Sequence, residues 1–216
     1  MGELLYTRKM DRNNIQSLID EFADSYLNIF QELDIYYWVG SGAIRDLFAE
    51  SNPRDIDFFF SDQQSRKKAV QLILALGAKK VQNTPRGEKF EYNDTEYDLL
   101  CWDGSGDPPC TAKTPEEMIT WFDYTVEMAA VDSNGKFHCY PTFYDDVVNR
   151  RLIRNPTRRL QDLYPRPNNR RLLKYIKKGY AIDMNNLLLF LEDQEATFDY
   201  RWTKKQEKAR KHTSNK

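Results

Sequence analysis

Two short runs in this sequence carry residue types that could do chemistry together: Val39-Gly40-Ser41 and, after the thirteen residues 42 to 54, Asp55-Ile56-Asp57-Phe58. Side chains alternate along a strand, so two aspartates one residue apart point the same way, at roughly 6–7 Å between their Cα atoms. Both carboxylates can then share a pair of cations. Magnesium prefers carboxylate and phosphate oxygens, and two such ions about 4 Å apart stabilise the attacking and leaving oxygens of an in-line phosphoryl displacement. The glycine turn supplies the complementary half: Gly40 and Ser41 let backbone N–H groups and a hydroxyl approach a triphosphate, and the start of the next helix favours its charge. Arg45, one turn into that helix, and Arg54, just before the aspartates, are expected beside the phosphates. A third carboxylate is needed on a neighbouring strand to deprotonate the attacking hydroxyl or complete the metal shell. Asp98, within the apolar run Tyr97-Asp98-Leu99-Leu100, is the first choice, and Glu96, on the same side of its strand, the second.

The flanking residues predict the elements that must position these groups. Ile15, Leu18, Ile19, Phe22, Tyr26, Ile29, Phe30 and Leu33 recur at helical spacing over 14–33. A β-type run over 35–39 leads into the glycine turn, and helical spacing resumes over 43–49. Pro53 closes that helix, and Ile56, Phe58 and Phe60 alternate with Asp55, Asp57 and Phe59 as a second strand. A helix over 65–76 with Gly77 at its end, strands over 89–92 and 96–102 around Asn93-Asp94-Thr95, a loop over 104–109, a helix over 115–130 and a hairpin near Asn134-Gly135 complete the reading. The expected fold class is α+β, a small mixed sheet flanked by helices over 1–148, followed by a basic, mainly helical extension over 149–216.

Composition sets limits on function. The 216 residues suffice for one moderate domain and an appendage. Cys101, Cys110 and Cys139 are odd in number and lack paired metal-ligand spacing, which argues against a disulfide framework or a zinc site. His138 and His212 show no partner arrangement in the sequence. No stretch approaches the roughly 18 uninterrupted apolar residues of a membrane span, so a cytoplasmic protein with no membrane contact is expected; self-association cannot be read from the sequence. The net charge of −1 hides an asymmetry: residues 150–216 carry 18 Lys and Arg against 7 Asp and Glu, whereas residues 1–149 carry 14 against 26. Between Arg150 and Lys178 eleven cations accompany one acid, Asp162. Such density suits the phosphates of an RNA or of a triphosphate, although some of these arginines must pair with the acidic half.

The stretch Trp38-Val39-Gly40-Ser41-Gly42-Ala43-Ile44-Arg45-Asp46-Leu47, followed by Arg54-Asp55-Ile56-Asp57, resembles the head domain of the class II CCA-adding enzymes and bacterial poly(A) polymerases. Their signature reads approximately V-G-G-x-V-R-D-x-L and then D-I-D. Asp123-Tyr124-Thr125-Val126-Glu127-Met128-Ala129 is similar to that family's D-F-T-I-N-A-M-A, and Arg151 to Pro156 and Arg171 to Lys174 to its arginine-rich passage from head to neck. The resemblance spans residues 35–180 in order. It implies a polymerase-β-like nucleotidyltransferase palm in which Asp55, Asp57 and Asp98 are catalytic and two Mg²⁺ ions lie on Asp55 and Asp57. It further implies that Gly40, Ser41, Arg45, Arg54 and Arg171 serve the nucleoside triphosphate and that Asp123 contacts its ribose. The chain departs from the signature where Trp121-Phe122 replace two arginines and where Pro167-Asn168 stand in the neck's base-selecting motif. The implied reaction is template-independent transfer of a nucleoside monophosphate to a tRNA-like RNA 3′ end, contacted through 150–178. A protein or small-molecule acceptor, and an inactive nucleotide- or RNA-binding module, remain the alternatives.

Overall fold

The computed structural model describes residues 12–49, 51, 53–84, 86–104, 111–157 and 169–195. The 105–109 part of the predicted loop, Cys110, Arg158, Arg159, Asp162, Arg166 and the Lys-rich segment from Lys204 with His212 lie outside them. Helix α1 (Arg12–Tyr26) runs into a 3₁₀ turn, η1 (Leu27–Phe30), and is followed by β1 (Tyr37–Gly40), α2 (Gly42–Phe48), β2 (Asp55–Phe60) and α3 (Gln63–Ala75). Strands β3 (Lys79–Thr84), β4 (Gly87–Tyr92) and β5 (Thr95–Cys101) come next. Then α4 (Pro115–Ile119), the 3₁₀ turn η2 (Thr125–Glu127), β6 (Ala129–Asp132), β7 (Phe137–Cys139), α5 (Phe143–Val148) and α6 (Asn169–Lys177) lead to α7 (184–195).

The strands form one mixed seven-stranded sheet in the order β3-β4-β5-β2-β1-β6-β7. Only the β2–β5 pair is parallel; its crossover contains α3 and the β3–β4 hairpin. Alternation sorts the apolar side chains between two faces. Tyr37, Val39, Ile56, Phe58, Phe60 and Leu99 join Ile19, Phe22, Ile44, Phe48, Ala69 and Ile73 from α1, α2 and α3 in the larger core. Trp38, Phe59, Trp102 and Ala130 join Met118 and Ile119 of α4 in a smaller core on the opposite face.

The expected helix over 115–130 is shorter than its pattern suggests. It stops at Ile119, and Ala129–Asp132 form a strand buried along its whole length. An apolar run with both faces covered has no two-residue alternation to announce it, so the helical spacing runs on over its first two residues, Ala129 and Ala130. Strand β3 is an exposed polar edge with no apolar alternation to announce it.

Strand β4 approaches β5 most closely at Gly87. A Cβ built there would lie 1.9 Å from the carbonyl oxygen of Leu99. That atom is backbone and cannot give way without moving β5. Gly87→Ala is therefore expected to destabilise the protein by about 3 kcal/mol, the upper end of ordinary overpacking, read as a lowered midpoint in urea. An unchanged midpoint would show that the β4–β5 approach is looser than described.

The segment after α5 is tied into the sheet domain. Thr125 N–H donates to the Ile153 carbonyl (3.0 Å), Asn155 N–H to Asp123 (2.8 Å), and Leu152 N–H to Ala181 (2.7 Å). Asn155, fully buried, donates its amide to the carbonyls of Thr120 and Phe122 at 2.8 and 2.7 Å and accepts from the backbone and hydroxyl of Thr157. The passage from head to extension is thus a bonded strap. Among the described residues, no helix is long and apolar enough to cross a membrane.

Candidate active site

The β2–β5 register places Asp55 beside Glu96 and Asp57 beside Asp98. In a parallel pair, side chains in register share a face, so four carboxylates gather where β2 and β5 begin. Gly40 stands opposite Asp57 across the β1–β2 ladder, which brings the glycine turn to the same end of the sheet. A cavity of about 560 Å³ opens there. Its wall includes Ser41, Gly42, Asp55 and Asp57, six cations (Arg45, Arg54, Arg150, Arg171, Lys174 and Lys178) and two more acids, Asp46 and Glu127. The excess of cations suits a polyanion, and the volume falls within the roughly 300–1,000 Å³ of small-ligand sites.

Burial, and then the charges of Asp98 and Asp55, push the Asp57 carboxyl up to about 7. The charges of Lys89 and Lys174 offset only part of this repulsion, and a divalent cation on Asp55 and Asp57 would relieve more of it. Among the described residues no three His, Cys, Asp or Glu side chains gather in a metal-binding arrangement. Asp55 and Asp57 are the pair on the cavity wall that could hold a divalent cation.

Asp98 is paired with a lysine. Lys89, its cross-strand partner on β4, places Nζ 3.2 Å from Asp98 and 2.8 Å from Glu96. Glu96 is held below its ordinary value by the Lys89 bond. Asp98 is raised by burial in spite of Lys89, and its Oδ1 is buried without a partner among the described residues. Both of the carboxylates expected on the neighbouring strand thus answer to a lysine that no sequence pattern singled out.

The turn differs from its expected use. Ser41 lines the cavity, but its N–H is taken by the Ala129 carbonyl at 3.1 Å. Its backbone sits at φ 62°, ψ −119°, a region that normally demands glycine, which is the residue in the resembling signature. Packing is tight at Gly40: a Cβ there would meet Met118 Cε, the end of a flexible side chain, at 2.6 Å and the Ala129 carbonyl at 3.3 Å.

Arg45 lines the cavity but is buried, and its guanidinium is engaged. Nε and Nη2 donate to Asp46 at 2.8 and 2.6 Å, and Nη1 to the Tyr175 hydroxyl at 2.7 Å. Asp123 is buried away from the cavity wall and bonded to Arg171 of α6. Arg54 makes no ion pair or hydrogen bond among the described residues.

The basic segment divides into two kinds of cation. Arg150 donates to the Lys178 carbonyl (2.7 Å) and stacks on Tyr180, Arg151 pairs with Asp146 (2.8 Å), Arg154 with Asp193, Arg171 with Asp123, and Lys178 with Asp46 (3.1 Å). Arg170, Lys174 and Lys177 on α6 are exposed and make no such bond among the described residues. Away from the cavity, His138 contradicts its unremarkable sequence context: its two ring nitrogens lie 2.8 Å from Glu116 and 2.9 Å from Asp132. The sequence separations of 22 and 6 conceal that triad until β6 and β7 pair.

A strand, a tight turn onto a helix, and an Asp-x-Asp on the adjacent strand come together in this mixed sheet. Solved CCA-adding enzymes share this fold. Three solved structures show this likeness. The Thermotoga maritima CCA-adding enzyme complexed with tRNA-CCA aligns at TM-score 0.57 and 15% identity over 87% of this chain and 43% of that one. The Bacillus stearothermophilus CCA-adding enzyme in complex with CTP aligns at 0.54 and 16% over 82% and 42%. A further CCA-adding enzyme with CTP aligns at 0.61 and 14% over 89% and 45%. The chain thus spans less than half the length of these enzymes. No protein-family model and no curated protein matches it.

Proposed function

We propose that the protein is a nucleotidyltransferase that moves a nucleoside monophosphate from a nucleoside triphosphate to the 3′ end of a tRNA-like RNA. The observation that carries this reading is the meeting of Asp55, Asp57 and the turn at Ser41 in one cation-lined cavity. A fold alone serves many chemistries, whereas this constellation suits a triphosphate with divalent cations. The terminal hydroxyl oxygen of the acceptor bonds to the α-phosphorus, the bond to the bridging α–β oxygen breaks, and pyrophosphate leaves. Asp55 and Asp57 would hold Mg²⁺, which when bound stabilises the charge on the phosphoryl oxygens. Asp98, adjacent to Asp57 and with raised proton affinity, accepts the proton of the attacking hydroxyl. Arg54 and Lys174 hold the triphosphate, and Ser41 offers its hydroxyl. The exposed face of α6 extends the positive wall outward for RNA, and the cytoplasm is the proposed site of action.

The test is incubation of the purified protein with each labelled nucleoside triphosphate, Mg²⁺ and total RNA, with products resolved into RNA and protein. Label in an RNA band that Asp55→Asn loses is the expected result. Label in protein alone would move the acceptor to a protein hydroxyl, and no label anywhere would leave a binding module.

A further inference from the structure

Residues 187–191 of α7, Leu-Leu-Leu-Phe-Leu, form an unbroken apolar run, and at about 100° per residue they reach every side of the helix. A helix that is apolar all round is normally covered on all sides. The domain covers only one. Phe190 and Asp193 are buried there, and Arg154 pins that face through Asp193. The other side stands in solvent: Met184, Leu188 and Leu191, at the i, i+4, i+7 spacing of one stripe, are 68%, 51% and 52% exposed.

Helix α6 has a second apolar flank. Leu172 and Tyr175 are buried, and Arg171 and Lys174 line the cavity to one side of them. The helical turn therefore sets Leu173 and Ile176, 52% and 45% exposed, on the side away from the cavity. Single exposed leucines are ordinary, whereas ordered apolar stripes on successive helices mark a contact surface.

The bordering charges select what covers these stripes. Helix α6 holds arginines and lysines and no acid; α7 holds Glu192, Asp193 and Glu195 and no Lys or Arg. Arg170 and Lys177 stand one turn either side of Leu173, and Glu192 and Glu195 one turn beyond Leu188 and Leu191. All four are exposed and make no ion pair among the described residues. Two copies of α6 would repel each other, as would two of α7, whereas α6 of one chain complements α7 of another. A two-fold axis makes that contact twice, which is the self-complementary arrangement of a closed dimer.

We propose that the chain forms a two-fold dimer in which the Leu173 and Ile176 flank of α6 packs on the Met184, Leu188 and Leu191 stripe of α7 in a second copy. The cavity lies on the opposite flank of α6, and the inference does not depend on the nucleotidyltransferase reading.

Sedimentation equilibrium of the full chain over a range of concentrations, without nucleotide or RNA, tests it. The wild type is expected to dimerise. Leu188→Glu, at an exposed position on an already acidic helix, should raise the dissociation constant by more than about 100-fold, since an unpaired charge enters the interface twice. Lys177→Glu and Glu195→Lys should each raise it about tenfold, and the two together should restore most of the loss. The charge exchange decides the matter if Leu188→Glu does not fold, which circular dichroism checks. A wild type that stays monomeric, leaving the stripes to another occupant, or that grows beyond a dimer would overturn the proposal. So would a dimer that a folded Leu188→Glu or either charge reversal leaves unchanged.

Discussion

On the nucleotidyltransferase reading proposed above, replacing Asp57 by asparagine abolishes transfer; in the same protein it makes the metal-free fold harder to unfold at pH 8. The two effects have one cause. Burial and the neighbouring charges of Asp98 and Asp55 raise the Asp57 carboxyl from its ordinary 3.8 to about 7 in the folded protein. A carboxyl raised on folding favours the folded state fully below its unfolded value, and that advantage is lost as pH rises through the folded value. At pH 8 the aspartate is ionised in both states, and the fold bears the whole repulsion. Asparagine removes it. The variant should melt several degrees higher than the wild type at pH 8 in the presence of chelator, with the difference closing as pH falls through about 7 towards 4. Transfer should fall by more than about 100-fold, since even residues that only support metal ligands cost about 10–100-fold. An equal melting shift at both pH values would disprove the electrostatic account.

Arg154→Ala should be the most damaging change in the basic segment, and for a reason unrelated to RNA. Arg154 forms a two-pronged pair with Asp193, Nε to Oδ2 at 2.5 Å and Nη2 to Oδ1 at 2.9 Å, and its backbone N–H bonds Asn186 Oδ1 at 2.9 Å. Asp193 is only 2% exposed. Removing the guanidinium strands that carboxylate in the interior, at a cost of about 3–5 kcal/mol, or roughly 10 °C in melting temperature for a chain of this size. Lys174→Ala should do the reverse. It should change stability by less than about 0.5 kcal/mol, weaken RNA binding and lower the slope of log affinity against log salt by about 1. Melting curves and salt titrations of the two variants separate the roles. A stable Arg154→Ala that loses RNA affinity would assign Arg154 to the RNA instead.

The head of the site was readable because its cues are local. Asp55 and Asp57 share a face through strand alternation, and the Gly40–Ser41 turn lies between β1 and α2 as expected. Gly77 follows α3 at φ 94°, in keeping with its expected place at the helix end. Misreadings arose where burial covers both faces, as at β6, or where a polar edge carries no apolar alternation, as at β3. The charge asymmetry was visible in the composition, but its use was not: five of the described cations between 150 and 178 are bonded within the protein.

By itself, then, the sequence determined the α+β class, the carboxylate pair and the turn beside it, because backbone sterics and side-chain alternation act over a few residues. The tertiary structure decided what each charge faces. Strand register delivers Lys89 to Asp98 and Glu96, the docking of α6 joins Tyr175 to Glu127 and Arg45, and α7 claims Arg154 through Asp193. Such pairings depend on contacts distant in the chain, and an ionisable side chain has no fixed role until the fold has chosen its neighbours.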